Sequence, residues 1–491
     1  MRRFLGLAAL PVALAATSLW CLVQAIDADQ EADLASSGLV GVGLNILAEP
    51  AAAAQDQPST ATGDPATTPL LSARRIPDLL VQPVARRNLA ARLDAFVEGN
   101  PAGTCIAVTD AGVDLYGSKA DEPMMPASTE KILTAHAALS TLGPDTHMET
   151  TLVSRTAPTG GTVEGDVWLV GGGDPLLNTE RYRSRGKEAD QIHTDLTALA
   201  DAVVAAGINR IEGTIVGDET RYDDQRVVPS WPSRFVSQNQ AGPLSALTVD
   251  DGLFNDDGIL RRSPEPAATA VDALLDLLTE RGVSVNGAER VGDAPDDATT
   301  VLASVMSRPI GEVVGQMLTF SDNTTAELLN KELGFRTSGL GTTASGSEAI
   351  GAALAQSDLD RAERVTVDGS GLDAGNRVTC DLLVDVLDAH GPSGPMAEGL
   401  PVGAQSGTLT ERFVGSPAAG LVRAKTGTLR DVTALAGFVE VPDTDVLTFA
   451  VLVNTDDGVL VDDATKRRQE QVAEILLTWP EGPERSQLVP R

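Results

Sequence analysis

Residues 125–144 have the sequence MPASTEKILTAHAALSTLGP, and this stretch decides the fold that we expect. Pro126 favours a helix start, and a Gly-Pro pair at the other end stops the helix. Apolar residues recur inside it at helical spacing, so one side of the helix is predicted to be buried. Ser128 and Lys131 stand three positions apart and therefore project from the same side, one turn from each other.

This pair has the residue types needed for nucleophilic catalysis. A serine hydroxyl is a poor nucleophile until a neighbouring group takes its proton. A lysine is normally protonated at neutral pH, but burial and a second cation lower its pKa, and Lys425 is expected to supply that second charge. We therefore predict Ser128 as nucleophile and Lys131 as its base, although a lone Ser-x-x-Lys pattern usually has no catalytic meaning.

Two further short motifs follow in the chain, Ser321-Asp322-Asn323 and Lys425-Thr426-Gly427-Thr428. The first lies between two predicted helices, where an Asp or Asn cap is expected in any case. The second lies in a predicted strand and on its own indicates a strand followed by a turn. The three motifs together, in this order, are the signature of class A β-lactamases and penicillin-binding proteins.

The second and third motifs have predicted roles in the same reaction. Ser321 is expected to relay a proton towards the leaving amine, and Asn323 to donate a hydrogen bond to the lysine base or to the substrate. The Lys425 strand offers an edge along which a peptide can lie. The backbone N–H groups of the serine nucleophile and of Thr428 would face the developing oxyanion. Gly427 is expected because a side chain there would crowd the substrate.

Composition limits the possible partners and cofactors. The 491 residues carry a formal net charge of −32, which disfavours binding to nucleic acid. Four scattered histidines without an HExxH pattern make a histidine-based metal site unexpected, and we predict neither metal nor organic cofactor. Cys105 and Cys380 are consistent with one disulfide in an oxidising compartment, with two separate buried thiols as the alternative.

The N-terminal part of the chain is predicted to lie outside the folded body. Residues 1–25 combine two arginines with an uncharged apolar run, which fits an export signal cut after Ala25 or, alternatively, an uncleaved membrane anchor. Residues 26–78 are rich in Ala, Asp, Thr and Pro and predict a flexible linker. We therefore expect an exported, extracytoplasmic protein.

The rest of the chain predicts an α/β (α+β) architecture. Predicted strands begin and end the body, with helices between them, which indicates one sheet built from both ends of the chain. A region of short strands and turns over 149–261 predicts an inserted α+β domain between the first two motifs. The catalytic domain is accordingly expected to comprise 79–148 and 262–491.

Beyond the three motifs, several segments resemble one family, the D-alanyl-D-alanine carboxypeptidase/endopeptidases, or low-molecular-mass class C penicillin-binding proteins. The likeness runs from about residue 80 to residue 480. Its segments are GGGDP at 171–175, PLSALTVDDG at 243–252, DGSGL at 368–372, NRVT at 376–379 and PAAGLVRAKTGTL at 417–429.

The resemblance implies a penicillin-recognising serine transpeptidase/β-lactamase-like fold and cleavage of D-Ala-D-Ala in peptidoglycan stem peptides. It implies that Ser128 is acylated by substrate and by β-lactam inhibitors, with Lys131 as base. Ser321, Asn323 and Lys425 would complete the proton and charge network. In this family Thr426 and Thr428 would line the pocket for the terminal carboxylate. The motifs suit both a carboxypeptidase and an endopeptidase, and nothing in the sequence indicates an oligomeric state.

Three observations depart from the family or qualify the resemblance. The predicted insertion, about 113 residues, is short for the family. Many members continue the DGSGL segment with Ser-Arg, whereas this chain has Asp373-Ala374, which puts the side-chain preference in question. Asp368 and Ser370 are expected to be structural turn residues.

A β-lactamase and a non-catalytic penicillin-sensing or wall-binding module are the alternative functions. A Ser-His-Asp hydrolase is disfavoured because no GxSxG elbow is present.

Overall fold

The computed structural model describes residues 76–183, 191–256, 259–288, 290–442, 444, 446–456 and 458–482. The predicted export signal or anchor at 1–25 and nearly all of the predicted linker lie outside the described residues. Across the described ranges, no helix is both long enough and apolar enough to cross a membrane.

Helices fill the middle of the body and flank its two ends. In chain order they are α1 (Ile76–Glu98), α2 (Lys131–Ala137), α3 (Glu180–Arg183), α4 (Leu196–Ala205), α5 (Ser233–Ser237), α6 (Pro266–Glu280), α7 (Ile310–Phe320), α8 (Asn323–Ser338), α9 (Thr343–Gln356), α10 (Cys380–His390), α11 (Pro395–Gly399) and α12 (Asp463–Leu476). A 3-10 turn at Ala127–Glu130 leads into α2, and a π-helical turn at Ala138–Leu142 continues it to Gly143.

Strands fall into an early, an intermediate and a late group. They are β1 (Gly103–Asp110), β2 (Val113–Ser118), β3 (Glu149–Ser154), β4 (Thr162–Val163), β5 (Val167–Val170), β6 (Leu177–Asn178), β7 (Thr194–Asp195), β8 (Arg210–Ile211), β9 (Ile215–Asp218), β10 (Leu253–Asp256), β11 (Ile259–Arg262), β12 (Ser284–Val285), β13 (Arg290–Val291), β14 (Thr300–Met306), β15 (Val422–Thr428), β16 (Val432–Glu440) and β17 (Val446–Asn454).

The main sheet joins the two ends of the body, as predicted. Its strand order is β15-β16-β17-β1-β2, and every neighbouring pair is antiparallel. The early strand β1 pairs with the late strand β17 along its whole length, from Gly103 opposite Asn454 to Asp110 opposite Leu447. Strand β15 lies at one edge of this sheet.

Both faces of the main sheet are covered by helices. Alternate residues such as Ala436 and Leu452 pack against helices α2 and α7 to α10. Their neighbours Leu435 and Val451 pack on the other side against α1 and α12. This two-sided burial explains why β16 and β17 are apolar at nearly every position instead of at every second one.

The accessory part, which we define as residues 149–306, has its own sheet and core. Its five strands run in the order β13-β9-β5-β3-β14. Helices α4 and α6 contribute side chains such as Leu199 and Leu274 to a core shared with Leu152 of β3. A small three-stranded sheet of β12, β8 and β4 and the two-stranded sheets β6-β7 and β10-β11 also belong to this part.

The expected end of the insertion at residue 261 does not coincide with this arrangement. Helix α6 and strand β14 follow residue 261, yet both pack in the accessory part. Strand β14 pairs antiparallel with β3, so that Met306 lies opposite Glu149. The chain therefore leaves and re-enters the main body at adjacent points, and the main body resumes after Met306.

One disulfide ties the main sheet to its helical layer. Cys105 of β1 is bonded to Cys380, the first residue of α10. Both cysteines are fully buried in the core that covers this face of the sheet. The alternative of two separate thiols therefore does not describe this structure.

Candidate active site

Ser128 and Lys131 meet at the start of the α2 helix. Ser128 lies in the 3-10 turn that precedes α2, and Lys131 is the first residue of the helix proper. The Nζ atom of Lys131 lies 3.1 Å from the Oγ atom of Ser128. The residue before the serine, Ala127, has a positive φ of 48°, a conformation that non-glycine residues rarely adopt and that often marks functional sites.

Lys131 is completely buried and has two further hydrogen-bond acceptors. Its Nζ donates to Oδ1 of Asn323 at 2.7 Å and to the backbone carbonyl of Ser370 at 2.6 Å. Burial lowers the pKa of Lys131 to about 8, against the opposing effect of nearby carboxylates, of which Asp368 has the largest effect. A lysine with this pKa is partly neutral near pH 7 and can then accept a proton.

The second motif turns the chain between α7 and α8. Ser321 adopts left-handed backbone angles, φ 58° and ψ 39°, which redirect the chain at the end of α7. Asp322 caps α8 by accepting hydrogen bonds from the backbone N–H groups of Thr324 and Thr325, as expected of an Asp at this position. The cap places Asn323 at the first turn of α8, beside Lys131.

Ser321 and Lys425 form the other half of the cluster. The Nζ atom of Lys425 donates to Oγ of Ser321 at 2.8 Å and to the carbonyl of Thr426 at 2.9 Å. Burial, with the charge of Lys131 as a further cause, holds the pKa of Lys425 well below its ordinary value. The charge of Lys131 thus disfavours protonation of Lys425. The sequence predicted the reverse effect, a lowering of the Lys131 pKa by Lys425, whereas burial is what lowers the pKa of Lys131.

The third motif lies on the edge strand β15, so the predicted exposed edge beside the serine is present. Thr428 ends this strand and is exposed, whereas the Thr426 hydroxyl donates to that of Thr408. A β-carbon at Gly427 would lie 2.7 Å from the carbonyl oxygen of Pro126 and 3.1 Å from the Ser128 nitrogen. Gly427 thus permits close packing of the strand on the turn that carries Ser128, which is a different reason from the predicted crowding of substrate.

The DGSGL segment is a hydrogen-bonded turn around Asp368. Its carboxylate accepts from the Trp231 indole and from the Asn376 amide, at 2.7 and 2.8 Å. It also accepts from the backbone N–H groups of Gly371 and Asp373. Asp373, at the position where the family often has serine, closes the same turn through the Gly375 N–H and receives a hydrogen bond from a serine hydroxyl of the accessory part.

Three features of the site were not predicted from the sequence. The carbonyl of Ser370 contacts Lys131, and two fully buried carboxyls, Glu130 and Glu327, lie close enough to the lysine to influence its pKa. The signals were present, because Glu130 directly precedes Lys131 and Glu327 is four residues, one helical turn, after Asn323. Burial raises the pKa of each carboxyl to about 8.

The residue types that meet at the site are those of nucleophilic catalysis. Two lysines, two serines and one asparagine converge there, and ammonium and hydroxyl groups are poor metal ligands. Within the described ranges, no group of three or more His, Cys, Asp or Glu side chains is arranged to hold a metal ion.

Comparisons with known proteins agree with this geometry. The model of the D-Ala-D-Ala carboxypeptidase 3 (S13) family matches residues 85–257 and 255–478. The chain is 33% identical over 419 residues to carboxypeptidase DacB of Mycolicibacterium smegmatis, covering 81% of this chain and 85% of that protein. It is 31% identical over 444 residues to the D-alanyl-D-alanine carboxypeptidase of Actinomadura sp. strain R39, covering 74% and 80%.

A solved structure shows the same fold. Penicillin-binding protein 4 from Haemophilus influenzae superposes with a TM-score of 0.66 at 20% identity, covering 78% of this chain and 99% of that one. The predicted penicillin-recognising fold and the predicted family are therefore confirmed. The chain belongs to the D-Ala-D-Ala carboxypeptidase 3 (S13) family of serine peptidases.

Proposed function

We propose that this carboxypeptidase cleaves the bond between the two terminal D-alanines of peptidoglycan stem peptides through an acyl-enzyme on Ser128. The observation that carries the proposal is the joint contact of Lys131 with Ser128 and Asn323, next to the Lys425–Ser321 pair. Such a cluster supplies a nucleophile, a base and a second proton carrier at one point.

Acylation begins when the Oγ atom of Ser128 attacks the carbonyl carbon between the two D-alanines. Its proton passes to the neutral Nζ of Lys131, 3.1 Å away. The oxyanion that forms on the carbonyl would be stabilised by the backbone N–H groups of Ser128 and Thr428. The close approach of Gly427 to the Ser128 nitrogen supports this assignment, because it brings the end of β15 against the serine.

The leaving group is the terminal D-alanine. When the C–N bond breaks, its amine needs a proton, which Ser321 is placed to pass on from the lysine pair. Its carboxylate would bind near Lys425, Thr426 and Thr428, whose amine and hydroxyl groups can donate hydrogen bonds to it. A water molecule then attacks the ester, Ser128 regains its proton, and the shortened stem peptide leaves.

The peptide itself is expected to lie along strand β15. This strand has no neighbouring strand on one side within the main sheet. On that side Val422 and Ala424 hydrogen-bond to Gly403 and Pro401, so the end of the strand, from Thr426 to Thr428, is the part open to an extended ligand. The same edge would hold a β-lactam, whose ring carbonyl takes the place of the scissile peptide. We therefore propose that β-lactams acylate Ser128, and that the ester they form is released slowly.

We further propose that the protein acts outside the cytoplasm. Peptidoglycan, its proposed substrate, lies there. The Cys105–Cys380 disulfide is the kind of bond that persists in an oxidising compartment. Cell fractionation and the N-terminal mass of the mature protein test this, and a reduced protein in the cytoplasmic fraction would contradict it.

Intact-mass spectrometry with benzylpenicillin tests the reaction. The wild-type protein is expected to gain the mass of one penicillin, and Ser128→Ala is expected to gain none. Release of D-alanine from a stem pentapeptide should depend on the same serine. Labelling that survives in Ser128→Ala would refute the nucleophile, rapid loss of the adduct would indicate a β-lactamase, and a folded protein that gains no adduct would indicate a wall-binding module.

A further inference from the structure

The two residues at the centre of the DGSGL segment connect the two catalytic helices. From α2, Lys131 donates to the carbonyl of Ser370, and Thr134 donates to the carbonyl of Gly369 at 2.7 Å. A β-carbon at Gly369 would lie 2.8 Å from the carbonyl oxygen of Ala326, so this segment also packs directly against α8.

Helix α8 holds the same segment through Glu327. The carboxylate Oε1 of Glu327 accepts the backbone N–H of Ser370 at 2.8 Å. The peptide unit on the other side of Ser370 supplies the carbonyl that accepts from Lys131. Helix α8 thus contacts the lysine twice, directly through Asn323 and indirectly through Glu327 and Ser370.

The carboxyl of Glu327 is costly to the fold. Its side chain is fully buried, and its Oε2 atom has no hydrogen-bond partner among the described residues. A buried, incompletely satisfied carboxyl destabilises the folded state relative to an apolar residue of similar size. The cost is consistent with a role in the reaction beyond packing.

We propose that Glu327 is a positioning residue for acyl transfer: by holding the Ser370 peptide it keeps the Ser370 carbonyl where it orients Lys131 towards Ser128. Without this bond the carbonyl is free to move, and the lysine loses one of the acceptors that fix its amine. A displacement of about 1 Å in a catalytic group can reduce a rate by about 100-fold.

The test measures acylation by benzylpenicillin under single-turnover conditions, which separates non-covalent affinity from the first-order acylation constant. Glu327→Ala is expected to reduce the acylation constant by about 100-fold while the affinity changes by less than about threefold. Glu327→Gln is expected to recover the constant to within about fivefold, because the amide oxygen accepts the same N–H.

Glu332 offers a matched control on the same helix. It is also buried, and its carboxylate accepts hydrogen bonds from Arg221 and Tyr222. These partners differ from those of Lys131, which are Ser128, Asn323 and Ser370. Glu332→Ala and Glu332→Gln are expected to lower the melting temperature and to leave the acylation constant within about twofold of wild type. If Glu327→Ala does not fold, Glu327→Asp replaces it, since its shorter side chain withdraws the acceptor and should slow acylation about tenfold.

The inference rests on the proposed role of Lys131, and the outcomes separate the two. Wild-type acylation in Lys131→Met would refute the base and with it this inference. An inactive Lys131→Met together with a wild-type constant in Glu327→Ala or Glu327→Asp would refute the inference alone. An equal loss in Glu332→Ala, or a Glu327→Gln variant as slow as Glu327→Ala, would also overturn it.

Discussion

The Nζ atom of Lys131 lies 2.7 Å from Oδ1 of Asn323, a residue 192 positions later in the chain. The lysine therefore links helix α2, which follows Ser128, to helix α8, which begins in the second motif. Its side chain is fully buried, so an unbranched apolar replacement of similar length keeps most of the packing and removes the amine. The lysine's contribution to the reaction can accordingly be separated from its contribution to the fold.

Replacement of Lys131 by Met should reduce acylation of Ser128 by at least about 1,000-fold, because a serine without a general base is a weak nucleophile. Lys331→Met is the matched control, since Lys331 is also fully buried but is paired with Asp223. The control should lose stability and keep acylation. Stopped-flow or mass-spectrometric acylation rates check both, and normal rates in Lys131→Met would rule out the base.

The rate of acylation should depend on pH through Lys131. Its pKa is lowered to about 8, and only the neutral amine accepts the serine proton. The second-order rate constant is therefore expected to rise roughly tenfold per pH unit below about pH 8 and to level off above it. Measurement from pH 5 to pH 9, corrected for hydrolysis of penicillin in buffer, checks this. A rate that falls over this range would contradict the assignment.

Gly427→Ala should slow acylation by about 100-fold or more. The added methyl would lie 2.7 Å from the Pro126 carbonyl and would force strand β15 away from the turn that carries Ser128. Gly117→Ala is the control at the opposite edge of the same sheet, where the nearest atom to the new methyl is 3.5 Å away. Equal activity in the two variants would show that the strand tolerates the displacement.

Glu130→Gln should stabilise the protein increasingly as pH rises from about 5 to 8. Burial raises the pKa of Glu130 from 4.5 to about 8, so the folded state retains a proton that the unfolded chain has lost. In this window the wild-type free energy of unfolding falls with pH, by at most about 1.4 kcal/mol per unit for this group. Glutamine does not titrate and avoids that loss.

Thermal melts at several pH values check this prediction. The difference in melting temperature between Glu130→Gln and wild type should widen towards pH 8. Glu122→Gln, at an exposed position six residues before Ser128, controls for the loss of one negative charge. A difference that stays constant or shrinks with pH would show that Glu130 is ionised in the folded protein.

The site was predictable as far as it depends on local spacing and short motifs. Ser128 and Lys131 are three residues apart, and the caps and turns around Ser321 follow from residue type, so helical geometry and the motif order predicted their meeting. The contact of Lys131 with the Ser370 carbonyl was not predictable, because any residue could supply a backbone carbonyl and 239 positions separate the two. Glu327 was missed although its position, one helical turn after Asn323, was a local signal in the sequence.

The fold, like the site, was predictable only in part. The sheet formed by both chain ends was predicted, because its strands are apolar and have clear turns between them. The end of the accessory part was misplaced because nothing local to Thr300–Met306 indicates which sheet that strand joins. Its partner is Glu149–Ser154, about 150 residues earlier, and pairing at that distance depends on the whole fold.

The pairing of β1 with β17 has a consequence for the order in which the protein can be assembled during synthesis. The ribosome makes residues 103–110 early, but their partner strand is completed only at residue 454, so the main sheet cannot close until almost the entire polypeptide has emerged. The accessory part, whose first and last strands pair with each other, can be completed while the later residues are still being made. The site around Ser128 is therefore incomplete until the strand that carries Lys425 has been made. A chain that ends before the late strands is expected to have no active serine.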